Sequence, residues 1–218
     1  MTKSILIIGL GRFGAHLCRN LAELGNEIMI VDNNEEHLQD LIPIVTSAKV
    51  ADCTNPEVLK NIGVSNFDYV VVSIGTNFQS SLEITNLAKE LGAKYVISKA
   101  NRDIHAKFLL KNGADEVIYP DRDIAERIAM KLTANHIFDY IELTDEYGVY
   151  EIDPLPEWTG KTIRELNFAA KYHMSIIGFK NKNNTEILPH PDRVFVENEH
   201  LMVLGRGSEV EELLKKLK

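Results

Sequence analysis

The fold turns on Ser4-Ile5-Leu6-Ile7-Ile8-Gly9-Leu10-Gly11-Arg12-Phe13-Gly14. Four consecutive apolar residues run into a glycine loop, and a helical pattern follows at Phe13, Leu17, Leu21 and Leu24. An unbroken apolar run suits a strand buried on both faces, as in a parallel sheet. The loop reads G-x-G-x-x-G. Gly9 permits the tight turn, Gly11 lets a pyrophosphate approach the backbone, and Gly14 lets helix and strand pack closely. The helix start offers free N–H groups and the positive end of its dipole to phosphate. Asp32 closes the next apolar run, 18 residues after Gly14, where a ribose-binding acid is expected. Such an acid accepts from a 2′-hydroxyl and repels a 2′-phosphate.

Outward from this stretch, strand and helix patterns alternate. Strands are expected at 27–32, 44–50, 67–74, 94–98 and 116–119. Helices are expected at 33–41, after the Thr54-Asn55-Pro56 cap, at 78–91 and at 102–112, the last two closed by Gly92 and Gly113. Alternation of this kind implies parallel pairing through right-handed crossovers, and six strands match a doubly wound, Rossmann-like α/β sheet. Pro120 breaks the rhythm. One helix is expected over 121–136, and 137–143 reads as either extended or helical. Short strand-like pieces follow at 149–152, 174–179, 187–188 and 201–204, with a turn at 181–184 and a final helix capped by Ser208. The expected organisation is a nucleotide-binding lobe over 1–120, a crossover helix and connector over 121–143, and a small α+β lobe over 144–218.

Composition narrows the function. The 218 residues are 44% hydrophobic and 26% charged, as in ordinary globular domains, with a net charge of −8. An acidic balance argues against nucleic acid as a partner, which needs a basic surface. No apolar run approaches a membrane span, and the start leads directly into a core strand, so the cytosol is the expected compartment. Cys18 and Cys53 have no CxxC partner and read as reduced packing residues. The seven histidines form no metal spacing, and no nucleophile elbow is present. The enzyme alternative is a small NAD-dependent dehydrogenase, motivated by the same loop and Asp32. It would need an acid–base group facing the nicotinamide, which the sequence does not supply. A redox-sensing transcription regulator would need a helix-turn-helix with a basic face.

The candidate site gathers at strand ends. In open parallel sheets the carboxyl edge is the ligand edge. Asp52-Cys53-Thr54 and Ser73-Ile74-Gly75-Thr76 fall there, and Gly75 either lets an adenosine approach or simply turns the chain. Arg12 is either a solvated side chain or a charge-assisted fork for phosphate, in this subunit or a neighbouring one. Asn34 meets ribose or base, or caps the following helix. Lys99 meets phosphate or solvent. Asp121 ligates a hard cation with water, or caps a helix.

Taken together, Gly9–Gly14, Val31-Asp32-Asn33-Asn34, Tyr69–Gly75, Gly113–Pro120 and Ala170-Lys171-Tyr172 ahead of Ile176-Ile177 resemble a known family. It is the cytosolic regulatory subunits of bacterial potassium transporters, the KtrA/KtrC and TrkA group, built from RCK (regulator of potassium conductance) domains. The resemblance covers nearly the whole chain. It implies a non-enzymatic nucleotide sensor with an RCK N-lobe and C-lobe. It also implies dimers assembled into an octameric ring at the inner face of the membrane, beneath a membrane-embedded translocating subunit. In Ktr-type members ATP and ADP compete for the N-lobe, and TrkA-like members also bind NADH or NAD. Arg12 matches the family arginine that reaches the γ-phosphate of ATP in the adjacent subunit. Asp121 falls where Ktr proteins carry a carboxylate, usually glutamate, for an activating cation, either divalent or Na+. Some relatives bind cyclic di-AMP in the C-lobe. Ala169 stands where they carry an arginine, which removes a phosphate contact, so cyclic di-AMP is a candidate ligand and not an expected one.

Overall fold

The computed structural model describes residues 2–133, 137–144, 146–181 and 184–217. The chain forms two compact units, Met1–Arg122 and Asp123–Lys218.

In the first unit, strands and helices alternate: β1 (Ser4–Ile8), α1 (Arg12–Glu23), β2 (Glu27–Asp32), α2 (Glu36–Gln39), β3 (Ser47–Val50), α3 (Pro56–Ile62), β4 (Tyr69–Val72), α4 (Phe78–Glu90), β5 (Val96–Lys99), α5 (Asp103–Lys111) and β6 (Glu116–Ile118). All strands pair in parallel, in the order β3-β2-β1-β4-β5-β6. This is the doubly wound arrangement expected from the alternation. The order reverses between β1 and β4, so their carboxyl ends open a crevice at the switch point. One layer of core packs Ile5, Ile7, Cys18, Ile28 and Leu38 on one face of the sheet. Another packs Leu6, Ile8, Leu59, Val70 and Ile84 on the other. The neighbours Leu6 and Ile7 are both fully buried, which is why β1 carries no polar alternation.

Several elements are shorter than their patterns suggest, β4 among them, which spans Tyr69–Val72 of the expected 67–74. The expected strand over 44–50 begins only at Ser47. Pro43 holds Ile42–Ile44 in a 3-10 turn, and Ile42 and Ile44 are exposed. The expected helix over 33–41 contracts to α2. Asn34 N–H donates to Asp32 Oδ1 at 2.9 Å, and Asn34 Oδ1 accepts from Glu36 N at 3.1 Å, so the loop is committed to side-chain turns before the helix begins.

His105 on α5 is 3% exposed, lies edge-on to Phe78 with ring centroids 4.7 Å apart, and has no partner for Nε2 among the described residues. Burial, and secondarily the nearby Arg102, push its pKa down. The imidazole is therefore neutral when folded and takes a proton on unfolding. Stability should rise with pH from the depressed folded value up to the ordinary value of about 6.5, then level off. Urea midpoints between about pH 5 and pH 8 should show this slope in the wild type and a weaker one in His105→Leu. Equal slopes would assign the effect elsewhere.

Helix α6 (Pro120–Thr133) follows β6. The end of the expected helix, 134–136, lies outside the described residues. The undecided stretch after it is a strand, β7 (Ile137–Glu142). The remaining elements are β8 (Tyr147–Ile152), α7 (Ile163–Leu166), α8 (Phe168–Tyr172), β9 (Ser175–Lys180), β10 (Thr185–Ile187), β11 (His200–Arg206) and α9 (Gly207–Leu214). The five strands form an antiparallel sheet in the order β10-β9-β11-β8-β7. Trp158, Phe168, Tyr172, Phe179 and Phe195 fill its core. The expected strand at 187–188 is displaced toward the amino end, because Leu188 takes φ +55° and ends the strand, its N–H still donating to the Ile177 carbonyl at 2.9 Å. Residues 182 and 183 of the expected 181–184 turn lie outside the described residues. Asn181 N–H donates to the Asn184 carbonyl at 2.9 Å across that turn.

Candidate functional site

A cavity of about 420 Å³ lies at the carboxyl ends of β1, β2, β4 and β5. One end of it is the glycine loop. Gly9 has φ +89°, and its N–H donates to the Val31 carbonyl at 2.8 Å while Ser73 Oγ donates to its carbonyl. A Cβ on Gly14 would collide with the Gly9 carbonyl oxygen and with Ser73 Oγ, so this glycine seats α1 against the loop. A Cβ on Gly11 would meet no atom within 4 Å. The space over Gly11 is open to a ligand, as close approach of a phosphate requires. α1 starts at Arg12 with no side-chain cap and no acid in its first turn. Its first N–H groups and dipole end are thus available to an anion. Arg12 is exposed and has no ion pair among the described residues. Lys99, only 15% exposed, lies with its Nζ 5.7 Å from the Phe13 ring centroid and 3.6 Å from Asp121 Oδ2.

A second part of the cavity is built on Asp32, which is 8% exposed. Its Oδ2 accepts from Leu10 N at 2.5 Å, tying the end of β2 to the glycine loop, and its Oδ1 accepts from Asn34 N. His37 Nδ1 lies 3.2 Å from the same Oδ1. Across the cavity Asp52 Oδ1 accepts from Thr54 N at 2.9 Å and Thr54 Oγ1 at 2.8 Å, and both bonds hold its pKa below the usual carboxylate value. Burial, reinforced by Asp52, pushes the Cys53 thiol up to about 12, so it packs as a neutral, unreactive group. Asn101 Nδ2 donates to the Gly75 carbonyl at 2.6 Å and fixes the turn after β4.

Of the residues selected by sequence, Gly9, Gly11, Arg12, Phe13, Asp32, Asp52, Cys53, Thr54, Ile74, Gly75, Thr76, Lys99 and Asp121 line this one cavity. Gly14 acts beneath it and Asn34 beside it, through their backbone and capping contacts. The sequence pattern missed His37 and Asn101, while Ser73, expected at the ligand edge with Ile74–Thr76, also lines the cavity. His37 could have been found as the residue one helical turn after Asn33–Asn34. Ser73 and Asn101 become neighbours of the loop only through strand pairing. No group of three or more His, Cys, Asp or Glu among the described residues is arranged to hold a metal. In the chain itself Asp121 faces Lys99, so a cation there would take its other ligands from elsewhere.

Residues 5–120 match the TrkA-N domain family and residues 149–218 the TrkA-C domain family. The Ktr system potassium uptake protein C of Bacillus subtilis is 37% identical over 217 residues, covering 100% of this chain and 98% of that protein. The Ktr system potassium uptake protein A of the same organism is 36% identical over 95% of this chain and 94% of that protein. Among solved structures, the GsuK channel bound to NAD superimposes with a TM-score of 0.69 at 20% identity, over 98% of this chain. The chain spans 40% of that channel's length, and the likeness speaks to the fold. With both domains matched in order and full-length relatives above a third identical, the chain belongs to the Ktr/Trk family of RCK-type potassium uptake proteins.

Proposed function

We propose that this protein is a nucleotide-sensing, non-enzymatic regulatory subunit of a potassium uptake system. ATP and ADP compete for the cavity, and NAD or NADH is the alternative ligand of the same pocket. The observation that carries the reading is the glycine loop. It combines an uncapped α1 start, open space over Gly11 and an exposed Arg12 without an ion pair among the described residues. Such a loop holds phosphates and leaves one arginine to report how many there are. Arg12 reaches the γ-phosphate of a nucleotide held by an adjacent subunit, and ADP lacks that group. A ligand shifts an assembly only by its difference in affinity between two states, and this contact supplies the difference.

The working assembly is a ring of dimers, an octamer, at the cytoplasmic face of a membrane-embedded translocating subunit. No helix among the described residues is long and apolar enough to cross a membrane. Asp121 is the carboxylate this chain offers to an activating cation, either divalent or Na+. Cyclic di-AMP is a candidate second ligand in the C-terminal lobe.

Calorimetry on the full chain tests the reading. ADP, ATP or NAD should bind, and failure of all three at about millimolar concentration would end it. Arg12→Ala should weaken ATP by about tenfold, as expected for a lost charge-assisted contact, and ADP by much less. Equal losses would remove the clamp.

A further inference from the structure

By sequence His37 is one more surface histidine, yet it lines the cavity beside Asp32. A carboxylate has about four lone-pair positions. On Asp32, Leu10 N–H takes one on Oδ2 and Asn34 N–H takes one on Oδ1. His37 Nδ1 stands 3.2 Å from that same Oδ1, at ion-pair distance. A vicinal diol that donates twice to this carboxylate needs two vacant positions, and His37 stands against the Oδ1 side of the carboxylate where one of them lies. Asp32 is buried and held by two backbone N–H groups. His37, with 45% of its side chain exposed and its Nε2 3.5 Å from Asn34 Nδ2, is the more exposed partner. The ribose edge is therefore read by the Asp32–His37 pair and not by Asp32 alone.

The geometry points to His37 as the residue that sets how this cavity reads the 2′ substituent of an adenine nucleotide. It rejects a 2′-phosphate when the imidazole is neutral and tolerates it when the imidazole is charged. The inference rests on the nucleotide reading above. With a neutral imidazole, the Asp32 charge faces the 2′ position and repels a phosphate. An imidazolium beside Asp32 cancels that charge and offers an N–H to the phosphate. The other charged residues lining the cavity are Arg12, Asp52, Lys99 and Asp121. On α2 itself Glu36 flanks His37, and β3, packed against α2, carries Lys49. Aspartate, glutamate, lysine and arginine keep their charge between about pH 6 and pH 8, whereas an imidazole changes it.

The test compares AMP with adenosine 2′,5′-bisphosphate, which differ only in the 2′-phosphate, by calorimetry on the full chain at about pH 6 and pH 8, with ADP as reference. The 2′-phosphate itself gains a proton near pH 6, so the wild type is read against His37→Gln. On acidification the wild-type preference for AMP should shrink about fivefold more than that of His37→Gln, the size of one partly exposed charge contact. His37→Lys, charged throughout, should tolerate the bisphosphate at both pH values. If ADP binds and the wild type and His37→Gln give coincident profiles, this inference is overturned while the nucleotide reading stands. If ADP, ATP and NAD all fail to bind, both fall.

Discussion

Replacing Gly14 with alanine is expected to remove measurable nucleotide binding and to cost the N-terminal unit about 3 kcal/mol, near the upper end for overpacking. The reason is the identity of the atoms the new methyl would meet. They are the Gly9 carbonyl oxygen and Ser73 Oγ, and neither is the loose end of a flexible side chain. The Gly9 N–H is bonded to Val31, its carbonyl accepts from Ser73, and Ser73 N–H donates to the Ile8 carbonyl at 2.9 Å. Loop, β1, β2 and β4 are thus fastened together at the point of collision. Relief requires α1 to lift away from the sheet, which displaces the N–H groups offered to phosphate. Urea unfolding and ADP calorimetry on the same variant would check both halves. A variant that unfolds and binds like the wild type would show that the loop yields, and the seating role of Gly14 would be lost. Gly11→Ala makes the useful contrast. Its methyl enters open space, so stability should hold while phosphate affinity falls.

The largest effect on the second unit is expected from Trp158→Ala. Trp158 is completely buried, with Phe168 and Tyr172 centroids each 5.2 Å away and Phe195 at 5.6 Å, and its Nε1–H donates to Tyr172 Oη at 3.1 Å. Truncation removes the transfer energy of the indole, leaves a cavity among aromatic rings and takes the donor from the Tyr172 hydroxyl. Losses for such a change run about 3–5 kcal/mol. A unit of this size has only about 5–15 kcal/mol in all. The variant's C-terminal sheet should therefore unfold well before the N-terminal one, and circular dichroism in urea should resolve two transitions. Trp158 is the only tryptophan in the chain, so wild-type fluorescence reports this unit alone. A single transition in the variant at the wild-type midpoint would contradict the assignment of Trp158 as the centre of the core.

The two substitutions differ in how far their reasons could be read in advance. Gly14 was legible because strand, turn and helix follow one another within eleven residues, and the demands on each glycine are local. Asp32 was legible at a distance because a parallel crossover returns the chain to a fixed place, beside the strand it left. Trp158 was not legible. It lies in a 3-10 turn between β8 and α7, with no periodic pattern around it, and its burial comes from Phe168, Tyr172 and Phe195 arriving from separate segments. The strand at 137–142 was undecided for a related reason. Its apolar residues fit either period, and only pairing with β8 selects the extended form. At β3 the pattern misled, because Ile42 and Ile44 are apolar without being buried.

The sequence by itself determined the alternation of strands and helices, the phosphate loop and the acid at the second strand's end. Each depends on side-chain period and backbone freedom over a short span, which the order of residues specifies directly. Only the tertiary structure decided that Ser73 locks Gly9, that Asn101 holds Gly75 and that His37 stands beside Asp32. These are contacts between strand ends or across a turn. They exist because the sheet order reverses between β1 and β4, and because Asn34 ends its turn early enough to swing α2 over the carboxylate. Such contacts depend on pairing and on where a helix actually starts, and neither follows from the spacing of residues along the chain.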